Sequence, residues 1–200
     1  MKTTIILTCL ILAIMIISQS FVAKGTKETE AHAYTVLKVY DQFEIRKYAP
    51  ALFSSVKLKS KGYKESSGKG FRMLAGYIFG NNEKNQKIAM TTPVVMQLGD
   101  TTKMFFKVPD GYSMEALPQP NDTNIVFEKQ EEKIMAAIHF NGWADDDKIK
   151  HYIAILKNAL DKENIQHTNA FSFLGYNPPY ELVNRRNEIA VELIQCSNQK

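Results

Sequence analysis

The hydrophobic positions of residues 34–195 change period several times, and each change marks an element. Val36, Val39, Phe43 and Ile45 surround Asp41-Gln42 as two short strands and a turn would, over Tyr34 to Tyr48. Residues 51–59 alternate, with Leu52, Ser54, Val56 and Leu58 on one face and Phe53, Ser55 and Lys57 on the other, which predicts a strand. After Lys61-Gly62-Tyr63 the period lengthens. Phe71, Leu74, Ala75, Ile78 and Phe79 take the i, i+3, i+4, i+7, i+8 spacing of an amphipathic helix, and Gly80-Asn81 ends it. Residues 87–97 and 103–108 predict strands, with Pro93 at an edge or bulge, and 109–124 is a Pro-containing loop.

The pattern then begins again. Ile134, Ala136, Ile138 and Phe140 share one strand face, and Met135, Ala137 and His139 share the other. Asn141-Gly142-Trp143 turns the chain into a helix striped by Ile149, Tyr152, Ile153, Leu156 and Leu160, and strands follow at 171–176 and 188–195. Gly62-Tyr63 and Gly142-Trp143 occupy one place in two strand, helix, strand, strand units, an apparent duplication with a period near 80 residues. The expected fold is α+β: a distorted antiparallel β-barrel with two flanking helices and internal pseudo-twofold duplication, in one domain over 34–197. A ligand is expected in a groove beside a helix.

The N-terminus adds a location. Lys2 precedes an apolar run from Ile5 to Ile17, and Ser18-Gln19-Ser20 follows it, the layout of a signal peptide over 1–20 cleaved after Ser20. The rival is an uncleaved anchor, since residues 5–23 could just cross a membrane. The chain is thus expected to be exported, periplasmic or extracellular, or membrane-anchored if the leader is retained. Residues 21–33 read as a polar tether. The 25 basic and 21 acidic residues are dispersed without a run of one sign, which argues against a nucleic-acid partner. Cys9 and Cys196 are placed too far apart in context, leader and terminus, to form a structural bridge.

Catalytic and metal signatures are weak. Residues 62–70 fail as a phosphate loop, because five residues precede Gly68-Lys69 and Gly70 stands where Ser or Thr is needed. Asp145-Asp146-Asp147 reads as a helix start. Asn121-Asp122-Thr123 is a glycosylation sequon, meaningful only in a secreted eukaryotic protein. His32, His151 and His167 read as solvated, whereas His139 sits mid-strand, and no two histidines have ligand spacing. No enzymatic activity is expected, and any metal would arrive inside a cofactor.

Four segments carry more. Phe71-Arg72-Met73-Leu74-Ala75-Gly76-Tyr77-Ile78-Phe79-Gly80-Asn81-Asn82 with Lys87-Ile88-Ala89-Met90-Thr91-Thr92-Pro93-Val94 forms the first. Gly175-Tyr176-Asn177-Pro178-Pro179 with Arg185-Arg186-Asn187-Glu188, Tyr40 to Tyr48, and His139-Phe140-Asn141-Gly142 complete the set. In this order, over about 34–195, they resemble the SOUL family of haem-binding proteins. The resemblance implies a distorted β-barrel with two helices that binds haem or a related tetrapyrrole in a shallow groove along the first helix, in some members without an obvious axial ligand. Carried onto this chain, Phe71 and Ala75 would be apolar groove contacts, with Leu74 and Ile78 in the core. Where animal members offer basic side chains to the propionates, Gly68, Gly76 and Glu181 stand here, so Lys69 and Arg72 become the substitute cations. Tyr77, Met90 and His139 are the candidates to reach the iron, each with a competing reading as packing. The implied role is carrier, scavenger or buffer. Two alternatives stay open: binding or hydrolysis of another small hydrophobic molecule in the same cleft, and a protein-interaction module.

Overall fold

The structure is a computed structural model that describes residues 6–14, 18–19, 29–59 and 62–194. The cleavage point expected at Ser20 and the thiol of Cys196 lie outside the described residues. Nine strands form one antiparallel sheet: β1 (Tyr34–Val39), β2 (Glu44–Tyr48), β3 (Ala51–Leu58), β4 (Val94–Gln97), β5 (Thr102–Lys107), β6 (Ile125–Gln130), β7 (Lys133–Asn141), β8 (Ser172–Gly175) and β9 (Arg186–Glu192). Helix α1 (Tyr63–Ile78) follows β3 and α2 (Asp146–Lys162) follows β7. Residues 6–14 are helical as well, and among the described residues no helix is long and apolar enough to cross a membrane.

The strand order is β1-β2-β7-β9-β8-β4-β5-β3-β6. From β2 onward it reads the same from either end when β2-β3-α1-β4-β5 is exchanged with β6-β7-α2-β8-β9. Each unit's first strand therefore pairs with the other unit's second, β2 with β7 and β6 with β3. Alternation explains the layering. Val56, Met96, Met104, Phe106, Ala136, Ile138, Phe140, Ile189 and Val191 face the helices and join Leu74, Tyr77, Ile78, Ile149, Leu156 and Leu160 in the main core. α1 packs on β3 and β5, and α2 on β7 and β9. The helix-free face buries a second, smaller apolar cluster of Ala137, Leu174 and Ala190, and Tyr48, Phe53 and Phe105 are buried on it as well.

Two expectations need correction. Residues 87–97 do not form one strand, since Val94–Gln97 alone joins the sheet and Thr92 makes an isolated bridge to Ala31. The stretch before it is held by isolated bonds, Ile88 N–H to the Ile78 carbonyl at 2.8 Å and the Thr91 hydroxyl to the Lys107 carbonyl at 2.6 Å. Conversely, β6 forms at Ile125–Gln130, where the periodicity predicts no strand.

The helix starts are coupled. Asp145 caps its own helix by accepting from Lys148 N–H at 2.8 Å. Asp146 instead caps α1, accepting from Tyr63 N–H at 2.6 Å and Lys64 N–H at 3.1 Å. Gly62 has φ +83, and a Cβ there would lie 2.6 Å from Asp146 Oδ1, so this cap requires glycine. Gly70 and Gly76 on α1 make a contrasting pair. A Cβ at Gly70 would sit 2.9 Å from Leu58 Cδ1 and 3.1 Å from Met104 Sδ, whereas one at Gly76 would meet nothing within 4 Å. Gly70→Val is expected to lose about 1–3 kcal/mol by overpacking, and Gly76→Ala to gain up to about 1 kcal/mol from helix propensity. Urea unfolding of both tests this, and equal midpoints would contradict the packing of α1.

Candidate functional site

Two surfaces are candidates, one on each side of the sheet. The first is the outer face of α1. Lys69 and Arg72 are exposed there, and Arg72 lies back along the helix, its Nη1 3.8 Å from where a Gly68 Cβ would be. Gly76, one turn on, leaves open space, and Phe79 at the helix end is 62% exposed. Phe71 is half-buried, its ring 5.5 Å from that of Phe106. The result is a smooth stretch of helix with cations at one end and an aromatic ring at the other.

The structure does not bring Ala75, Tyr77 or His139 to this face. Ala75 is buried against the core, because it follows Leu74 on the inward stripe. Tyr77 is 1% exposed, and its hydroxyl donates to the Pro118 carbonyl at 3.0 Å. Burial pushes its pKa up to about 12, so it stays a neutral phenol. Met90 is half-buried against the helix-side core. His139 is exposed on the opposite face of the sheet, since it pairs with Glu188 and alternates with Ile138 and Phe140. It therefore faces away from α1. Among the described residues no group of three His, Cys, Asp or Glu could hold a metal ion. The outer face of α1 thus offers the cations Lys69 and Arg72 and the open backbone at Gly76 to a flat ligand carrying carboxylates.

The helix-free face carries a buried ionic cluster that the sequence showed only in part. Glu188, 0% exposed, accepts from Arg46 Nη1 at 2.7 Å and Nη2 at 3.1 Å, from Arg186 Nη2 at 2.6 Å and Nε at 3.1 Å, and from the Tyr176 hydroxyl at 2.8 Å. Burial opposes ionisation of Glu188, but the Arg46 bonds and the charges of Arg46 and Arg186 outweigh it and hold the carboxyl below its usual range. Burial and the Glu188 charge push Tyr48 up to about 12 and Tyr176 further in the same direction. Arg185 takes a separate task. Its Nη1 donates to the carbonyls of Pro178 at 2.8 Å and Glu181 at 2.7 Å, and its guanidinium lies 4.1 Å from the Trp143 ring. The Arg-Arg-Asn-Glu segment is therefore a structural clamp.

Beside this cluster lies a recess of about 240 Å³. Its floor comes from β4 and β8 and its walls from β6 and β7, which stand far apart in the strand order, so the sheet curls toward this side. Residues 29–33 cross one end as a strap, where the sequence suggested only a tether. Ala31 bridges Thr92, Glu30 pairs with Lys107 at 2.5 Å, and the His32 ring bonds the Ala49 carbonyl at 2.8 Å. That ring also packs on Tyr48 and Phe53, at 5.1 and 5.4 Å. His32 is thus held and half-buried, and His167 likewise bonds the Thr168 carbonyl at 2.5 Å. The sequence predicts both to be solvated, and the structure holds both.

Burial lowers the His32 pKa from 6.5, assisted by Lys107 and opposed by the Ala49 bond and Asp110. A depressed folded value means docking is fully favoured above about 6.5 and is lost as pH falls through that lower value. The protection factor of the His32 amide, which donates to the Thr92 carbonyl at 2.9 Å, is expected to fall as the pH drops below about 6.5. A constant protection factor would contradict this.

Comparison with known proteins agrees with this architecture. A family model described as SOUL heme-binding protein matches residues 29–192. Heme-binding protein 1 of Xenopus laevis is 28% identical over 155 residues, covering 74% of this chain and 81% of that protein. Heme-binding protein 2 of Homo sapiens is 28% identical over 156 residues, covering 74% and 76%. Among solved structures, the C-terminal domain of EcmrR has a TM-score of 0.59 at 12% identity, covering 77% of this chain and 98% of that one. A hydrolase from Listeria innocua has a TM-score of 0.57 at 11% identity, covering 79% and 94%. At such identities the structures share the fold alone.

Proposed function

Because the chain belongs to the SOUL heme-binding protein family, we propose that it binds haem or a related tetrapyrrole on the outer face of α1. We read the role as that of an exported carrier, scavenger or buffer without chemistry of its own, residues 1–20 being removed. The observation that supports the site is the exposed pair Lys69 and Arg72 beside the open backbone at Gly76 and the exposed ring of Phe79. The macrocycle would lie on the glycine and aromatic stretch, and the cations would hold its carboxylates. The symmetric strand order supports reading the two units as a duplication, with only the α1 copy turned to this use.

Magnitudes give the cations their weight. Burying about 300 Å² of apolar macrocycle contributes roughly 7–8 kcal/mol, and lost rigid-body freedom costs about 4–15 kcal/mol. Flat contact therefore supports at most modest affinity. Each charge-assisted contact to a propionate adds roughly 1.5–3 kcal/mol. Reversing both, with Lys69→Glu and Arg72→Glu, is expected to weaken haem binding by at least about 100-fold in a Soret titration. Unchanged affinity would remove these cations from the site.

A further inference from the structure

We propose that the recess on the helix-free face is a second, separate ligand site that takes a small neutral aromatic molecule with one polar substituent. Three observations carry this. The first is its wall. His32, Tyr48, Phe53 and Phe105 form a continuous run of tilted and edge-on rings, with neighbouring centroids 5.1, 5.4 and 6.1 Å apart. Val95, Met135 and Leu174 complete an apolar floor. An aromatic guest extends such an array in the geometry that rings prefer.

The second is charge. The rim carries Lys103, Lys133, Glu128 and Glu192, but each is already paired. Lys103 meets Glu128 at 2.6 Å and Lys133 meets Glu192 at 3.4 Å. Glu131 on the same rim pairs with Lys129 at 3.0 Å. A charged guest would find no uncompensated partner and would lose its hydration. The uncharged polar side chains on the lining include Gln97, Gln130, Thr168 and Ser172, which can serve one hydrogen-bonding substituent.

The third is size. At about 240 Å³ the recess lies just under the roughly 300–1,000 Å³ of pockets for drug-sized ligands, so it admits one or two fused rings and not a tetrapyrrole. No residue of α1 lines it, so its occupancy is independent of the site proposed above. The strap through His32 closes one end, which gives the guest a built wall where an open sheet surface would give none.

The test is a fluorescence titration of the full chain with 2-naphthol, a neutral two-ring probe with a single O–H donor. Its 8-sulfonate relative serves as the charged comparator. The expected result is saturable binding at one site per chain, with the sulfonate at least tenfold weaker. Val95→Trp and Gln97→Trp, which fill the recess from its floor and its rim, are expected to weaken the neutral probe at least tenfold. Circular dichroism checks that each variant is folded. Gly76→Glu and saturating haem are expected to leave the probe's affinity unchanged. No saturable binding, equal binding in both folded tryptophan variants, equal affinity for the sulfonate, or displacement by haem would each overturn the proposal. Failure of haem binding alone would overturn the α1 reading and leave this one standing.

Discussion

Glu188→Gln is expected to cost about 3–5 kcal/mol of folding stability, the effect of breaking a buried ion pair from one side. The substitution keeps the shape of the side chain and removes the charge that faces Arg46, which is itself only 4% exposed. Arg46 would then remain buried against β7 and β9 with only the half-exposed Glu44, 2.8 Å from its Nε, as counter-ion, and Tyr176 would lose the carboxylate that accepts its hydrogen bond. Arg186, 41% exposed, can turn to water and contributes less. Replacing both partners, with Arg46→Met and Glu188→Met, is expected to cost much less than the single change, since an apolar pair leaves no buried charge. The same cluster sets an acid limit. Glu188 titrates below its usual range, so its contribution is complete above about 4.5 and is lost as pH falls through that lower value. Urea midpoints for the three variants and wild type decide the matter, and a neutral Glu188→Gln would show that the clamp does not hold the sheet.

Gly76→Glu is expected to weaken tetrapyrrole binding by at least about 100-fold, by placing bulk and negative charge on the surface where the macrocycle and its carboxylates would lie. It is the cleanest variant for the purpose. The added Cβ meets nothing within 4 Å, so the fold has no reason to suffer, and helix propensity improves slightly. Phe71→Glu is a poorer test, because Phe71 also packs on Phe106. If Gly76→Glu binds haem as wild type does while Lys69→Glu with Arg72→Glu does not, the macrocycle lies off the glycine stretch.

Most of the fold was legible because burial on one side imposes a period. The alternation of residues 51–58 and 133–141 and the stripes of both helices follow from that. β6 escaped because Lys129 falls on the same face as Ile125 and Phe127, while Val126 is exposed, so the alternation is blurred. The inward placement of Ala75 and Tyr77 could have been read. They follow Leu74 by one and three residues, which is the buried stripe of α1. The remaining features join distant segments, and local pattern holds no trace of them. Asp146 caps a helix that starts 83 residues earlier, Arg46 and Glu188 meet across 142, and Glu30 reaches Lys107 across 77. The recess belongs to the same class, since its walls are built by the curl of the whole sheet.

The measurement that bears most directly on the central claim is a titration of the full chain with haem and, in parallel, with a metal-free porphyrin bearing the same propionates, followed in the Soret band. Without an axial ligand from Tyr77 or His139, both are expected to bind saturably, one per chain, with affinities within about tenfold of each other. Saturation by haem alone would contradict a site that recognises the macrocycle and its carboxylates, and binding of neither would contradict the function itself.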